Sequence, residues 1–140
     1  MSIKLILAYP PSANHYKGKN GNREYLKPEA ILFHEIVCQQ VNDQLGEHDP
    51  IDCPMILIVT AYPPDRRARD NTNLEKVLKD SLEITKRYDK PRAGIYTNDN
   101  LVWDFRIKWD YYKDGNEFKY RIDPDKKGWV EVEISEIKAD

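Results

Sequence analysis

The apolar positions of this chain follow two periods, and the switch between them marks its elements. Residues 3–8 (Ile3, Leu5 and Leu7 set off by Lys4) read as a strand that Tyr9–Pro10–Pro11–Ser12 ends. Met55–Ala61 is a short apolar run rich in β-branched residues and reads as a central strand, closed by Tyr62–Pro63–Pro64. Val102–Trp109 alternates, and so does Trp129–Ile137, whose second face is acidic. Helical spacing appears twice. Ala30, Phe33, Val37, Val41 and Leu45 form one stripe, with Pro28 in the first turn, Glu29 at the positive end of the dipole and Gly46 as the stop. Leu74, Val77, Leu78 and Leu82 form another, behind the capping candidates Asn71, Thr72 and Asn73, and predict a helix over about 73–86.

Between these lie polar segments. Residues 13–26 carry glycines at 18 and 21 and read as a mobile loop. Residues 87–100 read as a long loop, and Asp114–Gly115 marks a turn. The expected order is β-α-β-α-β-β: an α/β (α+β) fold with a mixed sheet, two main helices packed on it, and one domain over residues 1–140.

Composition narrows the function classes. At 140 residues the chain is long enough for a sound core, and it contains no apolar run of membrane-spanning length. Residues 1–8 read better as a strand than as an export signal, so Cys38 and Cys53 are expected as reduced thiols in a cytoplasmic protein. The two cysteines stand apart and His15, His34 and His48 show no ligand spacing, which argues against zinc and leaves the histidines in helix or loop positions without a catalytic role. The net charge of −2 speaks against an indiscriminate nucleic-acid binder, but residues 15–27 and 65–92 each carry +3, leaving −8 elsewhere. Local positive surface on an acidic body suits one polyanion-facing side.

The richest chemistry lies in Pro64–Lys76 and around Asp99. Arg66, Arg67 and Arg69 precede Asp70; Lys76 follows about one turn into the second helix; Asp99 arrives in Asn98–Asp99–Asn100. Mg²⁺ takes hard oxygen ligands and asks the protein for only one or two carboxylates, which Asp70 and Asp99 can supply. A lysine alongside stabilises charge on a phosphoryl group. Each residue also has a plain reading: Asp70 as a cap, Asp99 as a turn residue, Lys76 paired with Asp80 four positions on, the arginines as a solvated loop. Trp103, Phe105 and Trp109 fit a core strand better than a base-stacking surface.

Taken together and in order, these segments resemble the RusA family of Holliday junction resolvases. Tyr9–Pro10–Pro11–Ser12–Ala13–Asn14–His15–Tyr16 is similar to the family's opening Pro-Pro-Ser-x-Asn-x-x-Tyr. Residues 64–76 resemble its arginine run followed by Asp-x-Asp-Asn-Leu-x-Lys, Asp80–Ser81–Leu82 its Asp-Ala-Leu, and Asn98–Asp104 its Asp-Asp-x-x-Val-x-Asp. Thr72 and Asn98 each stand where that pattern has an acid, and residues 85–97 form a longer segment than usual. The resemblance implies a RusA-like fold, a homodimer of bacterial or phage origin, and cleavage of four-way and other branched DNA with Mg²⁺ (or Mn²⁺) and no small organic cofactor or membrane partner. It implies metal-binding carboxylates at Asp70 and Asp99, a catalytic Lys76, and DNA contacts from Arg66, Arg67, Arg69, Asn73, Asn14, Tyr16, Lys17 and Lys19. Two alternatives stay open: a junction-binding protein that does not cut, and a nuclease for flaps or other branches.

Overall fold

The computed structural model describes residues 2–12, 15–67, 71–84 and 94–138, and for residues 71–73 the backbone alone. The chain divides into two compact units, each assembled from separate stretches of sequence.

One unit, drawn from 1–9, 53–69 and 102–140, is built on a four-stranded sheet. Its strands are β1 (Ser2–Ala8), β4 (Met55–Tyr62), β5 (Val102–Trp109) and β8 (Trp129–Glu136), in the order β1-β8-β4-β5. β8 runs antiparallel to both β1 and β4, while β4 and β5 are parallel, so the sheet is mixed, as the sequence predicts. Register puts the alternation to use. Leu5, Val132 and Val59 stand side by side across three strands, and so do Leu7, Val130 and Ala61. All six are buried, each large one worth roughly 1.5–3 kcal/mol relative to exposure. The opposite face carries Lys4 against Glu133, an opposed pair on the solvent side.

Met55 pairs with Val102 but Ile56 pairs with Asp104, so β5 carries one extra residue, Trp103, at a bulge. This places Trp103 69 % exposed, against the expectation of a core position, whereas Phe105, Ile107 and Trp109 face Leu57, Val59 and Ala61 and are half-buried on an edge strand.

The turn expected at Asp114–Gly115 is the tip of a hairpin, β6 (Tyr111–Asp114) and β7 (Glu117–Tyr120), with Gly115 at φ +63°. Its base is closed by Arg121, whose N–H donates to Asp110 O at 2.7 Å and whose Nε lies 3.1 Å from Asp110 Oδ2. A tight turn then leads into β8. The buried Asp123 carboxylate accepts from the backbone N–H groups of Asp125 (2.9 Å), Lys127 (3.2 Å) and Gly128 (2.7 Å).

The other unit, drawn from 10–52 and 70–101, holds both helices. α1 (Pro28–Leu45) begins on the predicted proline and ends at Gly46, which adopts φ +68° and donates to Asn42 O at 3.0 Å. It buries Ala30, Phe33, Val37 and Val41. α2 (Asn71–Leu82) buries Leu74, Val77, Leu78 and Leu82. It starts two residues earlier than the sequence predicts and ends at Leu82, because the chain turns there into a bridge: Glu83 pairs with Tyr96, and Ile95 N–H donates to Leu82 O at 2.8 Å. Tyr96 bridges Ile51 on its other side. The polar stretch read as a mobile loop instead forms a hairpin, β2 (Lys17–Asn20) and β3 (Arg23–Leu26), around Gly21 at φ +65°. Its strands are too short and too polar to show a period. The expected order of elements survives as β1, α1, β4, α2, β5, β8, with the two hairpins added. Among the described residues, no helix is long and apolar enough to cross a membrane.

Candidate active-site cleft

α2 carries its chemistry on the flank next to its apolar stripe. Leu74, Val77 and Leu78 point into the core, which leaves Glu75, Lys76, Lys79 and Asp80 toward the surface; Lys76 is exposed and the other three are half-buried. These four line a cleft of about 440 Å³ together with Lys17 from β2 and Asp99 from a single 3₁₀ turn (Asp99–Leu101). Three ammonium groups and three carboxylates therefore share one concave surface.

Asp99 is positioned through its backbone. Its N–H donates to Glu83 Oε2 at 2.8 Å, and Glu83 sits on the bridge to Tyr96. The Tyr96 side chain is fully buried and its hydroxyl donates to Lys79 O. Burial above all, and then the negative charges of Asp99, Glu83 and Asp80, push the Tyr96 phenol above its ordinary range.

Asp80 is held differently. Tyr16 donates its hydroxyl hydrogen to Asp80 Oδ2 and lies 2.9 Å from His34 Nε2. A phenol has one hydrogen to give, so with Asp80 taking it, His34 Nε2–H is the donor to the Tyr16 oxygen. His34 Nε2 is also 3.6 Å from Asp80 Oδ2. Tyr16 and His34 are both buried, and Tyr16 N-terminal to the hairpin is further tied by Lys27 N–H donating to its carbonyl at 2.8 Å.

Of the positions expected from sequence, Lys76, Asp99 and Lys17 meet in the cleft, with Lys17 also 3.8 Å from Glu24. Tyr16, expected to contact DNA, is 3 % exposed; its ring is part of the core and it serves the cleft by holding Asp80. Lys19 is exposed on the same hairpin. Arg66 and Arg67 belong to the sheet unit. Arg66 donates to Tyr120 O at 2.9 Å with its guanidinium 5.5 Å from the Tyr120 ring centre, and Arg67 Nε lies 3.7 Å from Asp65 Oδ2. Asp70, Arg69 and Asn14 lie outside the described residues, as does the side chain of Asn73. Glu75, Lys79, Asp80 and Glu83 are not among the site residues to which the sequence points. Asp80 carried a visible signal, a carboxylate on the same helix flank as Lys76 and one turn on, but the partner that orients it lies 64 residues away.

The donor set suits a hard cation. Asp80 and Asp99 offer carboxylate oxygens to the cleft, and Mg²⁺ needs only one or two such ligands. No cluster of three or more His, Cys, Asp or Glu side chains placed to hold an ion occurs among the described residues, which omit Asp70.

Comparison with known proteins places the chain in a family. The chain is 27 % identical over 106 residues to the crossover junction endodeoxyribonuclease RusA of Escherichia coli K12, covering 76 % of this chain and 81 % of that one. It is 27 % identical over 103 residues to the protein of the same name from Enterobacteria phage 82, covering 74 % and 78 %. The family model for endodeoxyribonuclease RusA matches residues 8–134, which include every cleft residue, and the chain therefore belongs to the RusA family of nucleases.

Proposed function

We propose that this protein is a divalent-metal-dependent endodeoxyribonuclease that cuts four-way junctions and related branched DNA, acting as a homodimer. The observation that carries this reading is the meeting of Lys76 and Asp99 in one cleft with Lys17, Lys79 and Asp80. Their family supplies the substrate class: relatives from a bacterium and a phage are named for cleavage of crossover junctions.

Asp99, with Asp70 as the expected second carboxylate, would hold Mg²⁺, and Mn²⁺ has compatible ligand chemistry. A metal bound there supplies a polarised phosphoryl oxygen and a water acidic enough to attack at neutral pH. The chain's own side chains do the rest. Lys17 and Lys79 attract the phosphodiester into the cleft, and Lys76, exposed at its rim, stabilises the charge that builds on the phosphoryl group in the transition state. Glu83 fixes the turn bearing Asp99, and Tyr16 fixes Asp80, so the acidic groups are preorganised rather than recruited. A two-fold dimer presents two such clefts to a junction that itself has approximate two-fold symmetry.

Thr72 and Asn98 favour a second reading, a protein that binds junctions without cutting them, because each lacks the negative charge of the acid in the family's pattern. A labelled synthetic four-way junction in Mg²⁺ separates the two. Wild type is expected to nick symmetric strands, Asp70→Asn and Asp99→Asn to bind without nicking, and Lys76→Met to cut about a hundredfold more slowly. Binding with no cutting by wild type in either Mg²⁺ or Mn²⁺ establishes the second reading. Faster cutting of flaps than of junctions reassigns the substrate within the same chemistry.

A further inference from the structure

The β6–β7 hairpin presents two of its aromatic residues to solvent. Tyr111 is 71 % exposed and Phe118 73 %, yet their rings meet edge to face, with centres 6.5 Å apart. Register assigns the faces: Tyr111 pairs with Tyr120 and Lys113 with Phe118, so these four share one face of the ribbon. Trp109 extends the row, its ring centre 5.2 Å from that of Tyr120, and the Arg66 guanidinium stands over the Tyr120 ring. The two hairpin acids, Asp114 and Glu117, fall on the opposite face, where Asp114 is 2.8 Å from Lys119 Nζ. One face is thus a ladder of aromatic rings with Lys113 toward the tip, Arg66 at the base, and none of the hairpin's carboxylates.

We propose that this face binds unpaired nucleotides of single-stranded DNA, the bases stacking on Tyr111 and Phe118 and the phosphates meeting Lys113 and Arg66. Exposed aromatics interleaved with cations are the usual means of holding single strands without sequence preference, since every base has a π-face. Side chains on one face of a strand repeat about every 6.6 Å, roughly twice the 3.4 Å rise per nucleotide of a stacked strand, so successive rungs suit bases of an opened segment. A second copy of this chain or a protein partner would also cover apolar rings, but Lys113 and Arg66 on a face without hairpin carboxylates match a polyanion, whereas Lys119 and Arg121 elsewhere on the hairpin are paired with Asp114 and Asp110. The surface is additional to the cleft and shares with the proposed function only the premise that the ligand is DNA. A junction nuclease gains from it a grip on bases that unpair at a branch point.

Fluorescence anisotropy with a labelled thymidine homopolymer and the full-length protein tests this directly. Tyr111→Ala/Phe118→Ala is expected to weaken binding at least tenfold, since base–aromatic stacking is worth about 1–3 kcal/mol per base. Tyr111→Leu/Phe118→Leu keeps apolar bulk but no π-face, and is expected to weaken it as much. Lys113→Ala is expected to lower the salt dependence of binding by about one phosphate contact. Binding by the leucine pair equal to wild type overturns the proposal. Loss of binding that follows dissociation of a dimer in light scattering also overturns it, and assigns the face to self-association. Junction nicking measured on the same preparations keeps this outcome separate from that of the cleft: a single-strand defect with nicking intact on a saturating junction leaves the proposed function standing, and intact single-strand binding in Asp99→Asn leaves the ladder standing.

Discussion

Tyr16 donates its hydroxyl hydrogen to Asp80 across 64 residues of sequence, joining the segment before the first hairpin to the flank of α2. The contact converts a half-buried carboxylate on a helix into an oriented group. It also accounts for the burial of the tyrosine that ends the Pro-Pro-Ser-x-Asn-x-Tyr segment of residues 10–16.

Tyr16→Phe removes the donor and keeps the ring. Hydrogen bonds to charged groups contribute about 1.5–3 kcal/mol, and the partial exposure of Asp80 puts this one toward the lower end. The variant is expected to unfold at lower denaturant with an unchanged slope, and to nick a junction about tenfold more slowly while binding it normally. Asp80→Asn should reproduce the catalytic loss. Unaltered cleavage in both variants would show that Asp80 stabilises α2 alone and has no part in the reaction.

The large strands and both helices were legible in the sequence because each buries one face, and a buried face writes its period into the chain. Ile3, Leu5 and Leu7 against Val130, Val132 and Ile134 is such a case: the alternation and the register are one fact. The hairpins were not legible as strands. Four-residue ribbons with polar or exposed aromatic side chains bury little, so β2–β3 reads as loop and β6–β7 as a turn. Trp103 misled for a local reason: a single extra residue in β5 rotates it out of the alternation. In the cleft, Lys76 and Asp99 stand out in the sequence by residue type and order. Asp80 and Glu83 do not, because their placement depends on Tyr16 and on the backbone of Asp99, contacts that no spacing within α2 encodes.

Gly94 packs against the backbone of Leu82–Ile84, beside the bridge that carries Glu83. A Cβ there would stand 2.8 Å from both Ile84 N and Leu82 O and 2.9 Å from Glu83 C, all backbone atoms. The close approach is what allows Ile95 N–H to reach Leu82 O and Tyr96 to bridge Glu83. Gly94→Ala must push the two segments apart, at a cost of about 1–3 kcal/mol for an overpacked site. Because Glu83 holds the Asp99 turn, cleavage is expected to fall by more than the unfolded fraction explains. Thermal unfolding and single-turnover nicking, measured below the transition, check this. Full activity in a protein of normal stability would mean that the bridge does not position Asp99.

Asp123 makes stability depend on pH in a defined window. Burial of its carboxyl raises the pKa, but N–H groups of Asp125, Gly128 and Lys127, with the Lys127 charge, outweigh that and hold it below its ordinary value of 3.8. A group whose folded pKa is depressed binds protons more readily when unfolded. Its contribution is therefore complete above the ordinary carboxylate range and disappears as pH falls through the depressed folded value. Asp123→Asn removes the charge that the three amides solvate and is expected to lower stability at neutral pH by the same amount down to about pH 5. Below about pH 4 the two proteins should converge as the wild-type carboxylate takes up its proton. Denaturant titrations of both proteins from neutral to acid pH measure the gap. A gap that stays constant through the acid range would assign the effect to amide geometry at the turn and not to the carboxylate charge.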